Sequence, residues 1–208
     1  LFAITLDNLA MLQVSLGRYV EAEKNLFQAL EVSKKAGGAE HPQTLIKMNN
    51  LAYLYSRLGR YHDSERLFKQ VLTIRERTLG PENLDVSISL NNLGDVFRLQ
   101  GRHQLAEPLY RRALRITEKA LGGEHQETAR LLNNLAIVAQ TKGHLTEAED
   151  LYLRAIAINE KSLGPQHVNL GRPLMNLAEL YIQLHRYGEA ERLYRRALSI
   201  LEGALGPN

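Results

Sequence analysis

The chain has 208 residues, with 26 Lys and Arg against 23 Asp and Glu, a formal net charge of +3, and no Cys. Disulfides and thiolate metal sites are thereby excluded, and the mild charge permits acidic partners without demanding them. No apolar run approaches the roughly 18 residues that a membrane-spanning helix needs, and a chain without Cys fits a reducing, cytoplasmic setting.

A short phrase returns every 42 residues: Asp7-Asn8-Leu9-Ala10, Asn49-Asn50-Leu51-Ala52, Asn91-Asn92-Leu93-Gly94, Asn133-Asn134-Leu135-Ala136 and Met175-Asn176-Leu177-Ala178. A fixed period of this size marks a stacked repeat array in which each unit packs on its neighbours. Five repeats follow, at about residues 1–37, 38–79, 80–121, 122–163 and 164–205, in one repeat domain.

The first repeat begins in mid-pattern at Leu1, as a fragment of a longer chain would. It breaks at Gly17, carries Ala22 and Ala29 on its second helix, and closes on Gly37-Gly38. The second breaks at Gly59, carries Ser64 and Val71, and closes on Leu79-Gly80-Pro81, where Gly accepts the left-handed conformation after a helix end and Pro cannot continue it.

In the third repeat a helix is predicted from about Leu84 to Gln100. Leu90, Leu93, Gly94 and Phe97 share one face of it. Gly101 breaks it, and a second helix runs from about His103 to Leu121. Its apolar stripe is Ala106, Leu109, Tyr110, Ala113 and Leu114, and Pro108 is expected in its first turn, where a missing N–H is tolerated.

The fourth repeat breaks at Gly143 and carries Ala148 and Ala155. The fifth has Ala190 and Ala197 but is irregular. His185 stands at the breaker, and Gly171 with Pro173 predicts a late start or a kink near Arg172. Small side chains at equivalent positions let helices approach closely.

The motif of Leu90, Leu93, Gly94, Phe97, Gly101, Ala106, Tyr110 and Ala113 resembles the tetratricopeptide repeat, with 42 residues here in place of the usual period of about 34. The extra residues lengthen both helices and carry the joining Leu-Gly-Pro-Glu. The phrases LNNLA and GRY-EAE-LY-RAL make the array similar to the kinesin light chain type, over all 208 residues. The resemblance implies an all-α, right-handed α-solenoid of five helix-turn-helix units, an α-α superhelix whose inner surface is lined by the first helices. It also implies a protein-interaction scaffold that holds an extended or short helical segment of a partner.

Positions one and two of each phrase point off the packing face, towards that inner surface. So do neighbours three or four residues away. The expected lining is Asp7, Asn8, Met11, Asn49, Asn50, Tyr53, Arg57, Asn91, Asn92, Asp95, Arg98, Arg130, Asn133, Asn134, Ile137, Gln140, Arg172, Asn176 and Glu179. An Asn side chain offers one acceptor and two donors, so a ladder of Asn suits the backbone of an extended peptide. It suits equally the bonding of neighbouring helices.

By resemblance, Asn50, Asn92, Asn134 and Asn176 contact ligand backbone. Arg98 and Arg75 match positions that meet acidic peptides, and Arg130 and Arg172 add charge at inner-face positions. Arg grips carboxylates bidentately, while Asp95 can pair with Arg98 at i, i+3.

Chemistry is not expected. His41, His125 and His167, with Asn83 in the remaining repeat, fall in the turn before a first helix and are read as turn residues. No His pair has metal-binding helix spacing with a Glu partner. No cofactor and no enzymatic activity are expected. Nucleic acid is not expected either, because Glu accompanies Arg in most second helices. The aromatic residues Tyr55, Phe97, Tyr110, Tyr152, Tyr181 and Tyr194 mostly occupy packing positions rather than stacking platforms. A further alternative is self-association, since the chain ends on Leu205-Gly206-Pro207-Asn208 without a polar capping helix.

Overall fold

The computed structural model describes residues 1–205; the closing Gly206-Pro207-Asn208 lies outside the described residues. Within them the chain is α-helical, with no strand. The helices are α1 (Phe2–Ser15), α2 (Tyr19–Gly37), α3 (Pro42–Arg57), α4 (Tyr61–Leu79), α5 (Leu84–Leu99), α6 (His103–Leu121), α7 (Gln126–Thr141), α8 (Leu145–Leu163), α9 (Gly171–Gln183) and α10 (Tyr187–Leu205). They form the five helix-turn-helix pairs that the 42-residue period requires.

Each first helix ends in a left-handed residue. The breaker glycines Gly17, Gly59, Gly101 and Gly143 have φ between 72° and 82°. His185 holds the same conformation at φ 59°, the one non-glycine among the described residues to do so.

The turn histidines cap helices. His41 Nδ1 accepts the Gln43 N–H at 3.2 Å, His125 Nδ1 that of Glu127 at 3.1 Å, and His167 Nδ1 that of Asn169 at 3.2 Å, while Asn83 Oδ1 takes the Asp85 N–H at 2.8 Å. A side-chain acceptor in this position satisfies an N–H that the helix itself leaves open.

One detail differs in position from expectation, and the irregular start of the fifth repeat is as expected. Pro108 is the sixth residue of α6, inside the helix rather than in its first turn. Its exposed position keeps the ring out of the core, but the ladder there lacks one N–H donor. In the fifth repeat a short 3-10 turn, Val168–Leu170, precedes α9, which therefore starts late and spans 13 residues against 16 for α7. Gly171 and Pro173 sit buried in its first turn.

The chain divides into two compact units, the first Leu1–Arg102 and the second beginning at His103, so the division falls inside the third repeat's turn. In the first unit α1 to α5 pack in sequence, each on the next. Ala10, Ala22, Ala29, Ala52, Ser64 and Val71 are fully enclosed there. Ser64 also gives its Oγ–H to the Ala52 carbonyl at 2.7 Å, which satisfies a hydroxyl that burial would otherwise penalise. In the second unit the core gathers Tyr152, Leu170, Leu174, Leu177 and Leu180 around Ala136, Ala148, Ala178 and Ala190.

Ion pairs cross between repeats at a near-constant offset. Arg60 reaches Glu23 at 2.7 Å and Arg102 reaches Glu65 at 2.9 Å in the first unit; Arg186 reaches Glu149 at 2.8 Å in the second. Each of these guanidinium groups also lies over an aromatic ring, Arg60 on Tyr55 at 4.0 Å, Arg102 on Phe97 at 4.5 Å and Arg186 on Tyr181 at 3.9 Å. A planar cation thus sits between a ring face and a carboxylate, two attractions that reinforce each other. Tyr181 feels the arrangement: burial, then the hydrogen bond to Glu149, pushes its hydroxyl above the usual range. The fourth repeat has Ala139 and His144 at the ring and cation positions, and there Lys142 takes Glu107 instead.

Candidate functional site: the polar surface of the first helices

In the first unit the repeated amides bond sideways before they face solvent. Asn50 Nδ2 donates to both carboxylate oxygens of Asp7, at 2.9 and 3.0 Å. Asp7 is itself buried, 4% exposed, and receives Lys47 Nζ at 2.9 Å; Lys47 is 2% exposed. This buried pair links α1 to α3. Asp7, expected on the lining, is therefore part of the packing between helices. Lys47 was not singled out from sequence, because nothing local connects positions 40 residues apart.

Asn91 is 1% exposed, and its Nδ2 lies 3.2 Å from Asp95 Oδ2 and 3.4 Å from Asn92 Oδ1. The Asp95–Arg98 pair forms as expected, at 3.4 Å. Asn49 and Asn92 are half-buried; the Asn49 side-chain Oδ1 is enclosed and has no hydrogen-bond partner among the described residues. Tyr53 and Arg57 are exposed on α3. Hydrogen bonding to Tyr19, then the charge interaction with Tyr53, raises the pKa of Arg57.

Arg75 does not join this surface. It is 6% exposed, and its Nη1 donates to the Asp85 carbonyl at 3.0 Å and to Ser89 Oγ at 2.9 Å. Desolvation lowers its pKa. The equivalent positions are Ser33, Thr117 and Asn159, all buried, and Leu201, half-buried, in the fifth repeat; at Arg75 the side chain fastens α4 to α5.

The second unit repeats the sideways bond: Asn176 Nδ2 donates to Asn133 Oδ1 at 2.9 Å. This bond, from the second phrase position of one repeat to the first position of the repeat before, thus occurs in each unit, but Asn92 does not make it to Asn49. Asn133 is 7% exposed, and Met175 takes its place in the fifth repeat.

Here four of the expected residues come together. Arg130, Asn133, Asn134 and Arg172 line one cleft of about 390 Å3. The buried Asn159 closes one side of it and Asn169 another. Arg130 is held by Glu127 through two bonds of 2.9 and 2.7 Å, an exposed pair of the kind worth about 0–1 kcal/mol. Arg172 is exposed and forms no ion pair among the described residues. The cleft therefore offers two guanidinium groups, one of them paired with the Glu127 carboxylate on the same lining, and several amides, a set suited to carboxylate and peptide groups. Asn176 stands outside this lining and supports it through Asn133. Among the described residues no group of three or more His, Cys, Asp or Glu could hold a metal ion, and no helix is long and apolar enough to cross a membrane.

Helix pairs at a 42-residue period, small enclosed residues at equivalent positions and a polar first-helix face define a repeat scaffold. The family model "Tetratricopeptide repeat" matches residues 1–77, 45–119, 85–161 and 127–203, and the chain belongs to that family. Among solved structures it is similar to a Podosopora anserina putative kinesin light chain with nearly identical TPR-like repeats. The identity is 27% over 95% of this chain and 93% of that one, with a TM-score of 0.76. A variant form of that protein matches at 26% identity, covering 94% and 92%, with a TM-score of 0.78. BtubC (BKLC) from P. vanneervenii shares the fold at 24% identity, covering 98% and 81%, with a TM-score of 0.81. A search of curated proteins returned no significant match. The array is of the kinesin light chain-like type, and tetratricopeptide repeats generally mediate protein–protein interaction.

Proposed function

We propose that the chain is a protein-interaction scaffold that holds an acidic peptide segment of a partner against its first helices, in the cytoplasm and without a cofactor. The convergence of Arg130, Asn133, Asn134 and Arg172 on one cleft carries the reading. In it, Arg172 and Arg130 take partner carboxylates, Arg130 by exchanging Glu127 for the ligand. Asn134 contacts peptide backbone, and Asn133 is held in place by Asn176. In the first unit Asn50, Asn92, Arg57, Tyr53 and Arg98 are the corresponding contacts, with Asn49, Asn91 and Asp95 behind them. Arg75, enclosed between α4 and α5, is left out.

Isothermal titration with Glu-rich and Lys-rich peptides of equal length tests this. Binding confined to the acidic peptide, and weakened roughly tenfold or more by Arg130→Ala with Arg172→Ala, is expected. Affinity unchanged in that variant, or in Asn92→Ala with Asn134→Ala, would remove the first-helix surface from the account.

Self-association is the second reading. It is favoured by exposed apolar residues on α1 and α2, Leu12 and Val20 with Leu16 between them, and on α9 and α10, Ile182, Tyr187 and Leu198. A strict monomer by light scattering at high concentration would end it.

A further inference from the structure

The seams between successive second helices are not alike. In the second unit the seam between α6 and α8 is tied at one end by Lys142–Glu107 and at the other by Lys161–Glu124. Two further pairs tie its middle, Arg111–Glu147 and Arg154–Glu118, each at 2.6 Å. The seam between α8 and α10 is tied in its middle by Arg196–Glu160, also at 2.6 Å. In the first unit the seam between α2 and α4 keeps both end ties, Arg60–Glu23 and Arg77–Glu40. Its middle lacks the equivalents of the other two. The four positions that carry Arg111, Glu147, Glu118 and Arg154 in the other seam are here Phe27, Asp63, Lys34 and Gln70, 84 residues earlier. Phe27 cannot pair with Asp63, which turns to Arg60 at 2.9 Å, and Lys34 faces the neutral Gln70 where the other seam sets Glu118 against Arg154.

Between the end ties the seam opens into a cavity of about 670 Å3. Met48, Leu51 and Tyr55 of α3 form its floor, while Phe27 and Leu67 stand on its walls. The charged side chains lining it are all cations: Lys34 on one wall, Arg66 and Lys69 on the other. Each has an acid on its outer side, Glu31, Asp63 and Glu65 respectively, and none of those carboxylates lines the cavity. The Lys34 and Arg66 pairs are exposed and weak enough to be exchanged for a ligand. A half-open apolar chamber within about 300–1,000 Å3, with a few polar groups on its rim, has the proportions of a small-molecule site. The rim's sign decides the class of molecule.

We propose that the α2–α4 seam binds a small amphiphilic organic anion, its apolar body over Met48 and Leu51 and its carboxylate between Lys34 and the Arg66–Lys69 wall. The site lies between two second helices over the α3 floor and shares no residue with the cleft of α7 and α9.

The test uses decanoate as the anionic probe and decyltrimethylammonium as its cationic counterpart, titrated calorimetrically into the whole chain. One decanoate per chain and no binding of the cation is expected. Lys34→Glu with Gln70→Arg writes the Glu118–Arg154 tie into the seam and should weaken decanoate roughly tenfold or more, with helicity and Tm preserved. Arg66→Glu, a substitution of an exposed side chain, should weaken it too, and reports if the double variant fails to fold. Equal binding of the two probes, no binding of decanoate, or affinity unchanged in Arg66→Glu would overturn the proposal. So would saturable binding of an acidic amphipathic peptide in the absence of any decanoate binding, which would make the seam a protein-docking groove.

Discussion

Single side chains fix how much of the polar surface is free. Lys47 illustrates the point: it is a buried cation whose charge is met by Asp7. Removing one member of a buried pair leaves the other desolvated, at a cost of about 3–5 kcal/mol. Lys47→Met should therefore lower the urea midpoint strongly, and more than Tyr53→Ala at an exposed position on the same helix. A stability change within error would mean that Asp7 finds water instead. His185 makes the opposite case. A non-glycine residue in the left-handed region carries a strain of about 1–3 kcal/mol, so His185→Gly should stabilise the chain in thermal melts.

At the scale of the element, capping and the turn decide where helices begin. The Nδ1 acceptor of His125 suggests a pair of variants. His125→Asn, which copies Asn83, should keep the cap, whereas His125→Ala should cost about 0.5–2 kcal/mol. Equal midpoints for the two would deny the cap any weight. Pro108, placed mid-helix in α6, withholds one donor, so Pro108→Ala should raise stability by up to about 3 kcal/mol.

Helix positions were legible in the sequence because local rules make them. The Gly breakers, the turn residues His41, Asn83, His125 and His167, and the enclosed Ala positions all act through neighbours within a few residues. The Asp7–Lys47 pair, the ring–cation–carboxylate sandwiches and the α2–α4 cavity were not legible. Each joins side chains of different repeats, and no periodicity says which partner a long side chain will choose. The Asn ladder was legible as a pattern and ambiguous in use; lateral bonding and ligand contact need the same amide. Arg75 looked like a surface charge since its buried partners are a backbone carbonyl and a serine, which carry no sequence signal.

For the molecule as a whole, the ties between repeats predict its response to acid. The hydrogen bond from Lys142, opposed by partial burial and aided by Arg111, holds the Glu107 carboxyl below its ordinary value of 4.5. A depressed folded-state value means that the unfolded chain takes up the proton first. Its contribution is thus complete above the ordinary value and is lost as pH falls towards the folded one. Stability should decline on acidification below about pH 4.5, and Glu107→Gln should flatten that decline in denaturant midpoints measured from about pH 6 to about pH 3. An identical slope in the variant would place the acid sensitivity elsewhere.

The equal spacing of the sandwiches has an editorial consequence. Arg60 meets Glu23, and Arg102 meets Glu65, each across the same 37-residue interval. Excising residues 24–65 would set Arg102 opposite Glu23 and put the Phe97 ring where Tyr55 had been, so the shortened chain still closes its ties. Excising one residue more would turn the part of the fused helix after the junction, and all that follows it, by about 100° against the part before. Length can therefore change in this protein by whole repeats at little cost, and melting curves of the two excisions should differ accordingly: cooperative for the first, broad for the second.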